Sequence, residues 1–242
     1  MQIETPSQIL VKGASSMDLS LNEKQLRQFQ LYLRELKAWN QHFNLTAINE
    51  DRDIVIKHFL DSIAILSKFN IPEECTTVDI GAGAGFPGIP VKILRPDIQL
   101  TLIESSQKKA RFLAHVIELL DLKDAWVYNG RAEDFGRKKE NRERFSLAVS
   151  RAVANLTVAV EYALPLLKVG GRFVIYKATH VLEEVSGAEK AIKLLGGRVE
   201  EIAKVVIPFL QAERYLVSIV KAAPSPRGYP RKAGLPTKRP LT

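Results

Sequence analysis

Cysteine is nearly missing: Cys75 is the only one in 242 residues. A lone thiol excludes an internal disulfide and any cysteine-cluster metal site. So little cysteine suits a reducing compartment. No apolar run reaches the roughly 18 residues that a membrane-spanning helix needs. Residues 1–12 show no basic start followed by an apolar block, so no secretory signal is expected. These absences lead to the expectation of a soluble, cytoplasmic protein with no membrane association. Acid is missing from Pro224–Thr242, which holds Arg227, Arg231, Lys232, Lys238 and Arg239. Five of the eight net positive charges therefore fall in the last 19 residues. Charge concentrated in this way points to a polyanionic partner more than to a generally basic enzyme. There is no internal repeat, and the five prolines of this tail predict an extended, irregular segment.

What is present is an alternating pattern. Ser20 and Glu23 have capping-box spacing ahead of Leu26, Phe29, Leu33 and Leu36, which predicts a helix over 20–45. Ile56, Phe59, Ile63 and Leu66 predict a second helix over 54–69. From residue 76, short β-branched runs alternate with helical ones. Strands are expected at 76–80, 98–104, 125–129, 145–150 and 172–177, the last after a Gly170-Gly171 turn. Helices are expected between them, with 134–144 as a surface loop or frayed helix. Two strands, 199–208 and 214–220, then follow with no helix between. The expected fold is α/β: a mostly parallel Rossmann-like sheet with helices on both faces and a C-terminal antiparallel hairpin. An N-terminal helical cap precedes it. The expected organisation is an extension (1–19), the cap (20–75), a cofactor-binding core (76–223) and the basic tail (224–242).

The most informative stretch is Thr77-Val78-Asp79-Ile80-Gly81-Ala82-Gly83-Ala84-Gly85-Phe86-Pro87-Gly88. Glycines at a strand-to-helix corner let backbone N–H groups approach a ligand, and the helix that follows presents unpaired donors. Residues 83–88 satisfy G-x-G-x-x-G formally, but the register is wrong for a dinucleotide. Counting from Gly81, the first glycine after the strand, puts Phe86 where the third glycine should be. S-adenosylmethionine (AdoMet) has no pyrophosphate and carries an ammonium and a sulfonium. Asp79 suits those charges, and Glu104 at the end of the second strand suits the ribose hydroxyls of either cofactor. Ala132-Glu133, after the third strand, falls where an adenine edge is expected.

These residues resemble the RsmG (GidB) family, bacterial 16S ribosomal RNA guanine-N7 methyltransferases with a class I AdoMet-dependent fold. The resemblance runs from about Leu26 to Leu241. Its motifs are Trp39-Asn40 with Asn44-Leu45-Thr46-Ala47-Ile48, then His58-Phe59-Leu60-Asp61-Ser62, the glycine motif through Pro90, and Ser150-Arg151-Ala152. Tyr229-Pro230-Arg231 and Gly234-Leu235-Pro236 with Lys238 complete it. The resemblance implies that Gly81 and Phe86 line the cofactor pocket and that Glu104, Ser105 and Ser106 hold the ribose side. It implies that Ala132 and Glu133 contact adenine and that Arg151 stands at the pocket mouth. The small-subunit ribosomal RNA would meet Arg231, Lys232, Lys238 and Arg239. Glu104 departs from the Asp of many relatives, and the segment before about Leu19 lies outside the shared pattern.

Some methyl-transfer chemistries lack their residues here. Cys75 precedes the first strand, behind the expected site, so no cysteine nucleophile serves pyrimidine C5. The Asn/Asp-Pro-Pro-aromatic loop of amine methylation is replaced by Ser150-Arg151-Ala152-Val153. Guanine N7 needs neither device, and no acid or base is expected among His42, His58, His115 and His180. Arg151 has three readings: a grip on the methionine carboxylate, on an RNA phosphate, or on a surface acid. Asn44 reads equally as a substrate contact or a helix C-cap. Two competing functions are an NAD(P)-dependent oxidoreductase, opposed by Phe86, and a non-catalytic RNA-binding protein, opposed by the retained acids Asp79 and Glu104.

Overall fold

Seven strands form one sheet in the order β3-β2-β1-β4-β5-β7-β6. The strands are β1 (Thr76–Ile80), β2 (Gln99–Glu104), β3 (Ala125–Asn129), β4 (Phe145–Arg151), β5 (Leu167–Lys177), β6 (Gly197–Val205) and β7 (Arg214–Lys221). The computed structural model describes residues 4–151 and 155–241; Ala152, Val153 and Thr242 lie outside the described residues. The first five strands run parallel, and β7 slots antiparallel between β5 and β6. The expected hairpin is therefore present, with its second strand inserted into the sheet and its first strand at the edge.

Helices cover both faces: α1 (Pro6–Ser15), α2 (Glu23–Phe43), α3 (Asp51–Ile54), α4 (Asp61–Ile63), α5 (Gly88–Leu94), α6 (Gln107–Leu119), α7 (Ala132–Arg137), α8 (Leu156–Ala163), α9 (Val181–Leu194) and α10 (Leu235–Lys238). One apolar cluster joins α1 and α2 to the sheet through Ile9, Phe29, Tyr32, Phe59, Leu100, Leu102 and Phe112. The other lies under α7, α8 and α9 and holds Val78, Ile80, Ala148, Val160, Phe173 and Ile219. Among the described residues no helix is long and apolar enough to cross a membrane.

Local details differ from the sequence reading where tertiary contacts intervene. The cap of α2 is Asn22 paired with Gln25, two residues later than the Ser20–Glu23 box. Asn is as good an N-cap as Ser, and Gln25 Nε2 also donates to the Ile93 carbonyl of α5 at 3.0 Å, which selects this register. The second helix begins at α3 and contains a π-helical turn, Val55–Leu60. Such widened turns re-aim the side chains they carry. The Gly170-Gly171 pair sits inside β5, at an irregularity of the β4–β5 ladder, because Gly170 adopts φ 85°. A Cβ on Gly171 would stand 2.8 Å from the Lys168 carbonyl oxygen. The 134–144 segment is partly ordered as the end of α7 and a 3-10 turn, Lys139–Asn141.

The tail is the largest difference. It is folded back onto the core, with Ser225, Pro230 and Pro236 buried and α10 near its end. Arg142 donates to the carbonyls of Tyr229, Ser225 and Pro226. Buried Lys221 donates to the Leu164 and Leu195 carbonyls and to Ser225 Oγ, and burial pulls its pKa down to about 8.

Candidate cofactor and nucleic-acid site

Parallel strands leave β1 and β4 through crossovers that turn in opposite directions, and the crevice outside their carboxyl ends is where such folds bind ligands. The glycine corner lies there. Gly81, Gly83 and Gly85 all have positive φ (70°, 60° and 99°). At Gly85 the requirement comes from the protein itself: a Cβ would sit 2.5 Å from Tyr32 Oη of α2. Tyr32 Oη donates to the Ala84 carbonyl, so the cap grips the loop directly.

Asp79 changes what the corner accepts. Its Oδ2 takes the Gly88 N–H at 2.8 Å, the first donor of α5. A dinucleotide would need that helix end for its pyrophosphate; here a diphosphate would face a carboxylate. Asp79 is fully buried, and its Oδ1 has no hydrogen-bond partner among the described residues. Burial raises its pKa to about 7, against the lowering effects of the Gly88 N–H and Arg151. An orphaned buried carboxylate oxygen calls for a donor or a cation. Glu104 is held rigidly: Oε2 accepts Gly83 N–H at 2.9 Å and Oε1 accepts Ser106 N–H at 2.7 Å. Each oxygen keeps a second lone pair, enough for two ribose hydroxyls. Ser105 is exposed beside it, and Ser106 stands at the N-terminus of α6 without a side-chain capping bond. This donor set fits AdoMet: acids for a cationic ligand and no free helix end for phosphate.

Phe86 and Arg151 both pack toward the cap. The Phe86 ring is buried in an aromatic stack, with centroids 4.5 Å from His58 and 5.5 Å from Tyr32. Arg151 is turned toward the cap. It donates to Asp61 Oδ2 at 2.7 Å and to the Lys57 carbonyl at 3.0 Å, and it lies 5.0 Å from the centre of the Phe86 ring. Of the three readings of Arg151, pairing with an acid is the one that the geometry realises, and the acid is buried. Asp61 also binds Arg214 Nε at 3.2 Å, tying β7 into the same network. His58 faces Arg151 through Nδ1 (3.0 Å) and Thr46 Oγ1 through Nε2 (2.8 Å). The guanidinium can only donate, so Nδ1 accepts and Nε2 carries the proton. Burial, helped by Arg151, drops the His58 pKa to about 3, which keeps it neutral. Asn44 is the left-handed C-cap of α2 (φ 48°).

On the far side, Ala132 opens α7, while the Glu133 carboxylate turns away toward the tail. Glu133 Oε1 accepts the Gly234 N–H at 2.8 Å and lies 3.4 Å from Tyr162 Oη. Arg231, expected to meet RNA, is clamped by Glu161 instead: Nε and Nη2 reach its oxygens at 2.9 and 2.6 Å, and the Arg231 N–H reaches one at 2.8 Å. Lys232, Lys238 and Arg239 remain exposed. The sequence reading missed Glu161 and Tyr32, and gave Asp61, which it held in the His58–Ser62 motif, no role. Glu161 carried a signal as the single acid in the apolar run Leu156–Leu167.

Comparison with known proteins agrees with this geometry. The family model GidB, described as rRNA small subunit methyltransferase G, matches residues 25–216. A ribosomal RNA small subunit methyltransferase G of Desulforamulus reducens is 46% identical over 96% of this chain and 97% of its own. One from Roseiflexus castenholzii is 47% identical over 96% and 98%. Solved structures share the fold: a SAM dependent methyltransferase from Aquifex aeolicus (TM-score 0.54, 15% identity, 70% of this chain and 93% of that one). Another is P. horikoshii TYW2 in complex with MeSAdo (TM-score 0.53, 18% identity, 68% and 63%). With most of the cap, the glycine corner and the sheet up to the start of β7 inside the matched span, the chain belongs to the GidB family.

Proposed function

We propose that the protein transfers the methyl group of AdoMet to N7 of a guanine in small-subunit (16S) ribosomal RNA. The observation that carries this reading is Asp79, which caps the helix end with a carboxylate where a diphosphate would sit and keeps a buried, unpartnered oxygen beside the glycine corner. When bound, AdoMet supplies an electrophilic methyl group. The protein's own part is to hold and orient: Asp79 and Glu104 offer acceptors to the cofactor, and the glycine loop is fixed from above by Tyr32. Ala132 at the start of α7 faces the adenine side.

Guanine N7 bears an in-plane lone pair and no proton at neutral pH, so alignment can supply most of the rate. Neutral His58, with both ring nitrogens occupied, fits a site that needs no acid or base. Arg151 braces the π-helical turn against Phe86 instead of gripping cofactor or RNA. In an RNA helix N7 lies in the deep, narrow groove, so the target must be unpaired or flipped out. The exposed cations Lys232, Lys238 and Arg239 serve the phosphates, and Arg231 holds the tail in place. The proposed division of labour is extension (1–19), cap (20–75), cofactor-binding core (76–223) and RNA-facing tail (224–242), with α1 of the extension packed on the cap. Such a substrate places the protein in the cytoplasm.

The test is methyl incorporation into small-subunit particles and rRNA from cells lacking the protein, followed by mapping of the modified base. Label at a guanine N7 is the expected result; label at another atom, or none on either substrate, would sink the reading. A thermal shift with NADH but not with S-adenosylhomocysteine would restore the oxidoreductase.

A further inference from the structure

Two aromatic rings stand exposed at the carboxyl edge of the sheet, each beside a cation. Phe43, in the last turn of α2, is 39% exposed, and Lys108 Nζ lies 5.8 Å from its ring centre. Lys108 is in the first turn of α6, which begins directly after β2 and Glu104, so this pair borders the ribose side of the cleft. Phe43 is backed by Trp39 at 5.4 Å, which packs in turn on Phe112 and His115. The second ring is Phe209, 40% exposed, with the Arg52 guanidinium 5.8 Å from its centre. Phe209 lies in the turn between β6 and β7. The register, with Lys177 opposite Tyr215 and Val205 opposite Arg214, puts that turn at the same carboxyl edge. Arg214 at its base reaches Asp61 and through it Arg151.

Burial does not explain either ring, and the two do not merge into one apolar patch. Trp39 stiffens Phe43 from behind, and both rings carry a cation at their face. Of the neighbouring acids, Asp51 is paired with Lys37 and Asp53 with Lys57. A rigid ring with a neighbouring cation matches an unpaired nucleotide, whose base stacks while its phosphate meets the charge. We propose that Phe43 with Lys108 and Phe209 with Arg52 are two stacking posts that receive unpaired nucleotides of the RNA substrate. They lie on the cap side of the cleft, separate from the tail. This rests on the reading of RNA as substrate and adds how the strand is held open around the target base.

The experiment measures anisotropy of a labelled unpaired oligoadenylate and of an RNA hairpin of equal length, using the full chain and the variants Phe43→Ala, Phe209→Ala, Phe43→Trp and Phe209→Trp. Each alanine variant should lose about 5- to 100-fold in affinity for the unpaired strand. The tryptophan variants should keep wild-type affinity, and hairpin binding should change little. A wild-type thermal shift with S-adenosylhomocysteine shows that a variant is folded. Wild-type affinity for the unpaired strand in both alanine variants overturns the proposal, whatever the methylation assay gives. Equal losses on strand and hairpin overturn it too. Loss on the strand alone, in a protein that methylates no rRNA, upholds the posts and removes the proposed function.

Discussion

Asp79 and Glu161 are both fully buried carboxylates, and they have opposite surroundings. Glu161, on the apolar helix α8, accepts four hydrogen bonds from three Arg231 donors, which satisfies both its oxygens. Asp79, at the glycine corner, accepts one and leaves Oδ1 unpartnered. A buried charge with full pairing serves the fold, whereas an incomplete one costs stability until something completes it. The tail clasp is thus a finished structural joint, and the corner is left with an acceptor still unpaired. The difference also separates their pH behaviour. Asp79 has a folded pKa near 7 against 3.8 for a free side chain. Its contribution to the stability of the ligand-free protein is therefore fully present below about pH 4 and is lost as pH rises through about 7.

The largest effect should come from breaking the finished joint. Arg231→Ala leaves Glu161 buried and alone, at a cost of about 3–5 kcal/mol, read as a lower midpoint in urea unfolding. A double change, Arg231→Ala with Glu161→Gln, should recover part of it. A loss no larger than that of a surface substitution would show that the tail is free in solution. The open site should respond next. AdoMet affinity should rise with pH up to about 7 and then level off, as Asp79 ionises. Asp79→Asn should weaken and flatten that profile while flattening the pH dependence of unfolding. Calorimetry at several pH values reads the first, and an unchanged profile in the variant would assign the proton elsewhere. The smallest effect belongs to Lys238→Ala: the slope of log affinity for rRNA against log salt should fall by about 1. An identical slope would remove Lys238 from the RNA surface.

Most of the fold was legible because its signals are local. The alternation of β-branched runs with helical periodicity placed all seven strands, and the missing helix between the last two announced the hairpin. At the corner, Asp79, Gly81 and Glu104 stood out because the chemistry of a cationic nucleoside needs acids at fixed distances along a strand–turn–helix unit. Three things were not legible. Gly85 is required by Tyr32, 53 positions earlier, through a close approach that no short window contains. The acids that pair with Arg151 and Arg231 were hidden, because a sequence shows a charge but not the distant buried partner it meets. The π-helical turn has no residue signature, yet it sets Lys57, His58 and Asp61 around Arg151. Residue order by itself determined the strand sequence, the position of the glycine corner and the acids that flank it, since these follow from local periodicity and spacing. Only the tertiary structure decided which charges are free to meet a ligand, because pairing between residues some 70 to 150 positions apart depends on how the layers pack.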